Sequence, residues 1–145
     1  MVTSETAPQP KSQQSPADDP VAGADTLDSD IGPFFDTAGL SVWLGLSRQA
    51  IYRQKRQRTI LAITTADRHF LYPAFQWSEA KEPLPALPEV LAQLDPTDED
   101  PVGSALWLNT SAREIGGATP AELLRRGDRE TVLVVARQIA AAWQS

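Results

Sequence analysis

The sequence predicts a mainly α protein in two parts: a helix-turn-helix followed by a small β-hairpin, then an all-helical half. Three observations carry that prediction. Residues 41–58, SVWLGLSRQAIYRQKRQR, turn a corner at Leu46-Ser47 between an apolar run and a segment with five cationic side chains and no anionic one. Two β-rich runs, ILAITT (60–65) and HFLY (69–72), follow at hairpin spacing. From Leu87 onward, apolar residues recur at helical spacing between clear helix starts.

Ahead of these elements lies a tail. Residues 1–33 hold five prolines, six acids (Glu5, Asp18, Asp19, Asp25, Asp28, Asp30) and one base, Lys11. After Val2 their sizeable aliphatic residues are Val21, Leu27 and Ile31. Such a segment cannot bury enough apolar area to offset its ordering entropy, so the composition predicts a disordered, acidic, proline-rich tail. The formal charge of the whole chain is −6, from 13 Lys+Arg and 19 Asp+Glu, and most of that excess sits in the tail. Between Asp36 and Asp67 there is no acidic residue, so a basic patch is concentrated in a chain that is acidic overall.

Order is expected from near Gly32. Asp36 suits the N-cap of a helix over 37–44 that ends at Gly45, and Ser47 suits the cap of a second over 48–58. Ala66-Asp67-Arg68 makes the hairpin turn, Pro73 stops its second strand, and PAFQW (73–77) reads as a packed irregular segment. Lys81–Pro88 holds three prolines and reads as a hinge. The expected boundaries are thus 1–33 for the tail, 34–80 for the helix-turn-helix with its hairpin, and 84–145 for the helical half.

In that half, Leu87, Val90, Leu91 and Leu94 share a helix face, and Asp100-Pro101 opens a helix running to about Asn109. Gly116-Gly117 make a turn. Thr119-Pro120-Ala121-Glu122 is a capping box with proline at the first helical position, and that short helix ends at Gly127. Asp128 caps a last helix whose apolar stripe is Val132, Val135, Ala136, Ile139, Ala140 and Trp143.

Projecting residues 48–58 at about 100° per residue separates two faces. Arg48, Gln49, Tyr52, Arg53 and Arg56 fall on one, while Ala50, Ile51 and Gln54 fall on the other, where Ala50 and Ile51 can meet Val42, Trp43 and Leu46. Arginine can grip guanine O6/N7 or phosphate with paired donors, and glutamine can read adenine N6/N7 in the major groove. Ser47 and the first helical amides suit a phosphate, and Lys55 and Arg58 suit the DNA backbone. A solvated basic helix would have the same charge, but it gives no account of the acid-free window or of Tyr52 among the cations.

The stretch LGLSRQAIYR resembles the helix-turn-helix of excisionase-like and MerR-like regulators. Gln54 and Lys55 stand where that pattern often has apolar residues, so the second helix is expected to pack more loosely or end earlier. Residues 107–133, WLNTSAREIGGATPAELLRRGDRETVL, resemble the toxin-binding domain of the Xre/MbcA/ParS antitoxin family. That resemblance runs from about residue 36 to 143, with the segment from Pro120 to Gly127 as its specific part.

It implies an antitoxin that neutralises a RES-type toxin, an enzyme that degrades NAD⁺ or uses it for ADP-ribosylation, and that represses its own operon by binding double-stranded operator DNA as a homodimer. The toxin-binding residues would be Trp107, Pro120, Leu123, Leu124, Arg125, Gly127, Ile139 and Trp143. The alternative from the same residues is a stand-alone transcriptional regulator whose helical half only dimerises.

Catalysis is not expected. His69 is the one histidine, no Ser-His-Asp set or metal-ligand cluster is apparent, and no glycine-rich loop precedes a helix. Asp98, Glu99 and Asp100 read as a solvated loop with a helix cap. No cofactor or metal is expected. Without cysteine, disulfides are excluded, and with no apolar leader or membrane-length run the expected location is the cytoplasm, away from membranes.

Overall fold

The structure, a computed structural model, describes residues 30–144, with no side-chain description of Gln144. It divides into two compact units between Phe75 and Gln76. Residues 1–29 of the expected disordered tail lie outside the described residues. Among the described residues there are six α-helices and one three-stranded antiparallel sheet, a mainly α fold. No helix among them is long and apolar enough to cross a membrane.

In the first unit, strand β1 (Phe34–Asp36) leads directly into helix α1 (Thr37–Leu44), and helix α2 (Arg48–Arg56) is followed by strands β2 (Ile63–Thr64) and β3 (Phe70–Pro73). The strand order is β1-β3-β2. Phe34, Phe35 and Asp36 oppose Pro73, Tyr72 and Leu71, while Ile63 and Thr64 oppose Leu71 and Phe70. The sequence reading had no β1. Two adjacent aromatics show no alternation of their own, and only β3, nearly forty residues away, gives Phe34–Asp36 a pairing edge.

The buried apolar side chains of this unit are Ile31, Phe34, Phe35, Leu40, Ile51, Ile60, Leu61, Ile63 and Tyr72. Ile31 is fully buried and the carbonyl of Pro33 accepts a hydrogen bond from the Ala74 amide at 2.9 Å. Residues 31–33 therefore belong to the folded unit and not to a solvated tail. Tyr72 is also fully buried, with its hydroxyl 2.9 Å from Thr37 Oγ1. Burial pushes the Tyr72 phenol above its ordinary value, because the charged form has no water to solvate it, and the Thr37 hydrogen bond only partly opposes this.

The second unit holds α3 (Leu87–Leu94), α4 (Pro101–Leu108), α5 (Pro120–Arg125) and α6 (Arg129–Gln144). Before α3 the chain folds back on itself. Trp77 bridges to Pro83, and the Leu84 amide donates to the Gln76 carbonyl at 2.8 Å. With Trp77 and Leu84 both buried, the proline tract expected as a hinge is tied into this unit, and the division comes before it. Prolines in extended segments withhold amide donors but leave their neighbours free to pair.

Helix α3 packs along α6, its Leu87, Val90, Leu91 and Leu94 all buried, and Val132, Ala136 and Ala140 are buried on α6. A forked Arg129–Glu89 pair, at 2.5 and 2.6 Å, joins the two helices. The loop between α3 and α4 is organised by the buried Asp95, whose carboxylate accepts from the amides of Glu99 at 3.0 Å and Asp100 at 2.7 Å. Asp100 in turn caps α4 by accepting from the Gly103 amide at 2.9 Å. A Cβ at Gly103 would lie 2.2 Å from the Asp100 carboxylate, so any larger residue there would make the capping side chain shift.

Removing residues up to Gly32 or Pro33 is thus expected to damage the first unit. Ile31→Ala should lower its stability by about 2–5 kcal/mol, the usual cost of emptying a fully buried aliphatic site. Chemical denaturation of the full chain checks this, and an unchanged midpoint would show that Ile31 adds nothing to the core.

Candidate nucleic-acid interface

The turn that aims α2 is held by local hydrogen bonds and a glycine. Asp36 caps α1 by accepting from the Gly39 amide at 2.7 Å. Gly45 ends α1 with φ +71°, a left-handed conformation that glycine adopts without a Cβ clash. The amides of Gly45 and Leu46 both donate to the Ser41 carbonyl, at 2.9 and 3.1 Å, and Ser41 Oγ donates to the Leu46 carbonyl. Ser47 then caps α2, its hydroxyl accepting from the Ala50 amide at 3.0 Å. These bonds are all local, so the two helices meet in a tight corner.

Helix α2 has a buried side and an exposed one, as its sequence predicts. Ile51 is fully buried, and Ala50 and Gln54 are half-buried. Arg48, Gln49, Arg53 and Arg56 are exposed with Ser47, and Tyr52 is half-buried at the margin. Among the described residues Arg48, Arg53 and Arg56 make no ion pair. Val42 does not join the inner contact expected of it. It is 69% exposed, because Leu40 takes the inward position of α1 and a residue two places on lies about 200° round the helix. Trp43 instead stacks on Phe35, ring centroids 4.8 Å apart.

The helix stops at Arg56, two residues short of the expected end. Arg58 has φ +58°, the Thr59 amide donates to the Gln54 carbonyl at 3.0 Å, and the Arg58 amide donates to Lys55 at 3.0 Å. This is a Schellman termination with arginine where glycine is usual. Arg58 is half-buried. Lys55, expected at the DNA backbone, lies with its ammonium 4.5 Å from the centroid of the Phe70 ring. Tyr52 meets the same ring edge-on, centroids 5.9 Å apart. Phe70 had no signal in the sequence beyond its strand propensity; only the pairing of β2 with β3 brings it to α2.

The hairpin tip carries Asp67, Arg68 and His69, all exposed. The Thr65 amide donates to the His69 carbonyl at 2.8 Å, and the His69 amide donates to Thr65 Oγ1 at 3.0 Å. Thr65 Oγ1 donates to Asp67, whose other carboxylate oxygen lies 3.0 Å from His69 Nδ1. Strand β2 is shorter than the 60–65 run suggested. Ile60 and Leu61 are buried in a segment outside the ladder, where burial and not pairing uses their apolar side chains.

The candidate residues of the second unit divide by accessibility. Pro120, Leu123 and Leu124 are buried and serve as core. The capping box forms as predicted, with Thr119 Oγ1 accepting from the Glu122 amide at 3.0 Å and Glu122 accepting from the Thr119 amide at 2.9 Å. Trp107 and Ile139 are half-buried, while Arg125, Gly127 and Trp143 are exposed, Trp143 to 47%. Val134, not singled out by the sequence, is also 47% exposed.

The hydrogen bond from Thr65, opposed in part by desolvation and aided by His69, holds the Asp67 carboxyl below its ordinary 3.8. A depressed carboxyl favours the folded tip above that ordinary value, and the contribution is lost as pH falls through the folded pKa. An NMR titration should therefore place the Asp67 midpoint below 3.8, and Thr65→Val should raise it. An unmoved midpoint in the variant would remove Thr65 as the cause.

No family model and no curated protein matches the chain. A solved structure, the NMR structure of Rv2175c, is similar to it with a TM-score of 0.62 at 19% identity, over 74% of this chain and 81% of that one. At that identity the likeness speaks to the fold alone.

Proposed function

We propose that the first unit is a winged helix-turn-helix that binds duplex DNA, with α2 in the major groove and the β2–β3 hairpin as the wing, and that the protein regulates transcription. The observation that carries this reading is the exposed face of Arg48, Gln49, Arg53 and Arg56 on a helix whose opposite face is anchored through Ile51. Helix α2 follows a tight turn, as recognition helices do, and no acid lies between Asp36 and Asp67 to repel a phosphate backbone. On this reading Arg53 and Gln49 read bases, and Ser47, Arg48, Arg56 and Arg58 hold phosphates.

Arg53→Ala should weaken binding to a selected duplex by about 1–3 kcal/mol and relax its sequence preference. The Arg48/Arg53/Arg56 triple alanine variant should lose most of its affinity and flatten the salt dependence. Titration at several salt concentrations measures both. A folded triple variant with unaltered affinity overturns the reading.

A second reading concerns the second unit: neutralisation of a RES-type toxin, as the resemblance of residues 107–133 implies. The observation in its favour is the exposed apolar surface on α6, where Trp143 continues the Val132–Ala136–Ala140 side beyond the packed turns. An exposed tryptophan of this kind suits an interface anchor. Co-expression with a RES toxin tests it. The full chain should protect cells, and Trp143→Ala should abolish protection at equal expression; a chain that neither binds nor protects leaves the DNA-binding regulator alone.

A further inference from the structure

We infer that Phe70 is a positioning residue that fixes the β2–β3 hairpin against helix α2, and that Lys55 serves this contact and not the DNA face. The functional consequence rests on the DNA-binding reading; the contact itself does not.

Tyr52 and Lys55 are three residues apart on α2, so their side chains are neighbours on one face. Both reach the same ring, Tyr52 edge-on at 5.9 Å between centroids with planes at 70°, and Lys55 with its ammonium 4.5 Å from the centroid. Edge-to-face aromatic pairs and cations over a ring face are each attractive through the ring quadrupole.

The hairpin needs such a restraint. Its ladder consists of Ile63 opposite Leu71 and Thr64 opposite Phe70. Strand β1 pairs β3 only from Leu71 to Pro73, so at Phe70 the sheet is down to two strands, too short a stretch to hold the direction of the tip by itself. Phe70 is the first residue of β3 and sits at the base of the tip that carries Arg68 and His69. Clamping Phe70 therefore sets where those two side chains stand relative to Arg48, Arg53 and Arg56. A duplex presents phosphates at fixed spacing, so helix and hairpin can engage it together only if their separation is fixed beforehand.

The test uses the full chain as wild type, Phe70→Leu, Phe70→Tyr, Lys55→Ala and Tyr52→Leu. Amide hydrogen exchange at Thr65, Arg68 and His69 is followed, together with binding to a duplex that the wild type selects from a randomised pool. In a folded Phe70→Leu protein, exchange at the tip should quicken roughly tenfold, the combined scale of one ring pair and one cation contact. Its duplex affinity should fall with a salt slope shallower by about one phosphate contact. Phe70→Tyr keeps the ring and should restore both, and Lys55→Ala should quicken tip exchange to a lesser degree.

Wild-type exchange at the tip in folded Phe70→Leu and Lys55→Ala proteins overturns the inference. If Phe70→Leu fails to fold, Tyr52→Leu gives the same exchange comparison from the helix side. If the wild type binds no duplex, the DNA-binding reading falls, while the exchange data still decide the clamp.

Discussion

Strand β3 has partners on both edges, β1 through Phe34, Phe35 and Asp36 and β2 through Ile63 and Thr64. Nearly everything that orients the first unit passes through its four residues. Asp36 opposes Leu71 and caps α1, so the start of that helix is fixed by its register on β3. Tyr72 reaches the first turn of the same helix at Thr37. Phe70 receives Tyr52 and Lys55 from α2. A one-residue slip of β3 would turn Tyr72 outward and Phe70 away from α2 together, because side chains alternate along a strand.

The exposed basic face of α2 follows from that anchoring together with local capping. A short helix with this much positive charge gains little from its own propensity and needs tertiary contacts to persist. Ile51 supplies the buried contact, Ser47 satisfies a first-turn amide, and the Arg58 reversal closes the last carbonyls. Arginine in a left-handed position costs backbone energy of order 1 kcal/mol relative to glycine. The chain carries that cost at the end of its most basic helix.

The second unit solves a different problem, holding short helices together. Helices α3 and α4 have eight residues each and α5 has six, below the length at which isolated helices are stable. Proline at or next to the first helical position and side-chain caps at Asp100 and Thr119 reduce the cost of starting them. The sixteen-residue α6 then serves as the common packing partner, in contact with both α3 and α5.

Local chemistry was legible in the sequence wherever a residue acts on its own neighbours. Asp36, Gly45, Ser47, Asp100, Thr119 and Gly127 mark helix ends because each satisfies or releases backbone groups within a few positions of itself. The two faces of α2 could be read for the same reason, since helical periodicity is a property of the segment alone. Strand β1, the burial of Ile31 and the return of the proline tract onto Gln76 could not be read, because each depends on a partner distant in the chain or on a core that exists only once the chain has folded. The same holds for the site: the arginines and Ser47 were apparent from spacing, whereas the seat of Lys55 on Phe70 was decided by the pairing of β2 with β3. The sequence by itself determined which helix is basic and where it begins. Tertiary structure decided which of its cations remain available, because an ammonium goes to water or to a ring according to what the fold brings within reach.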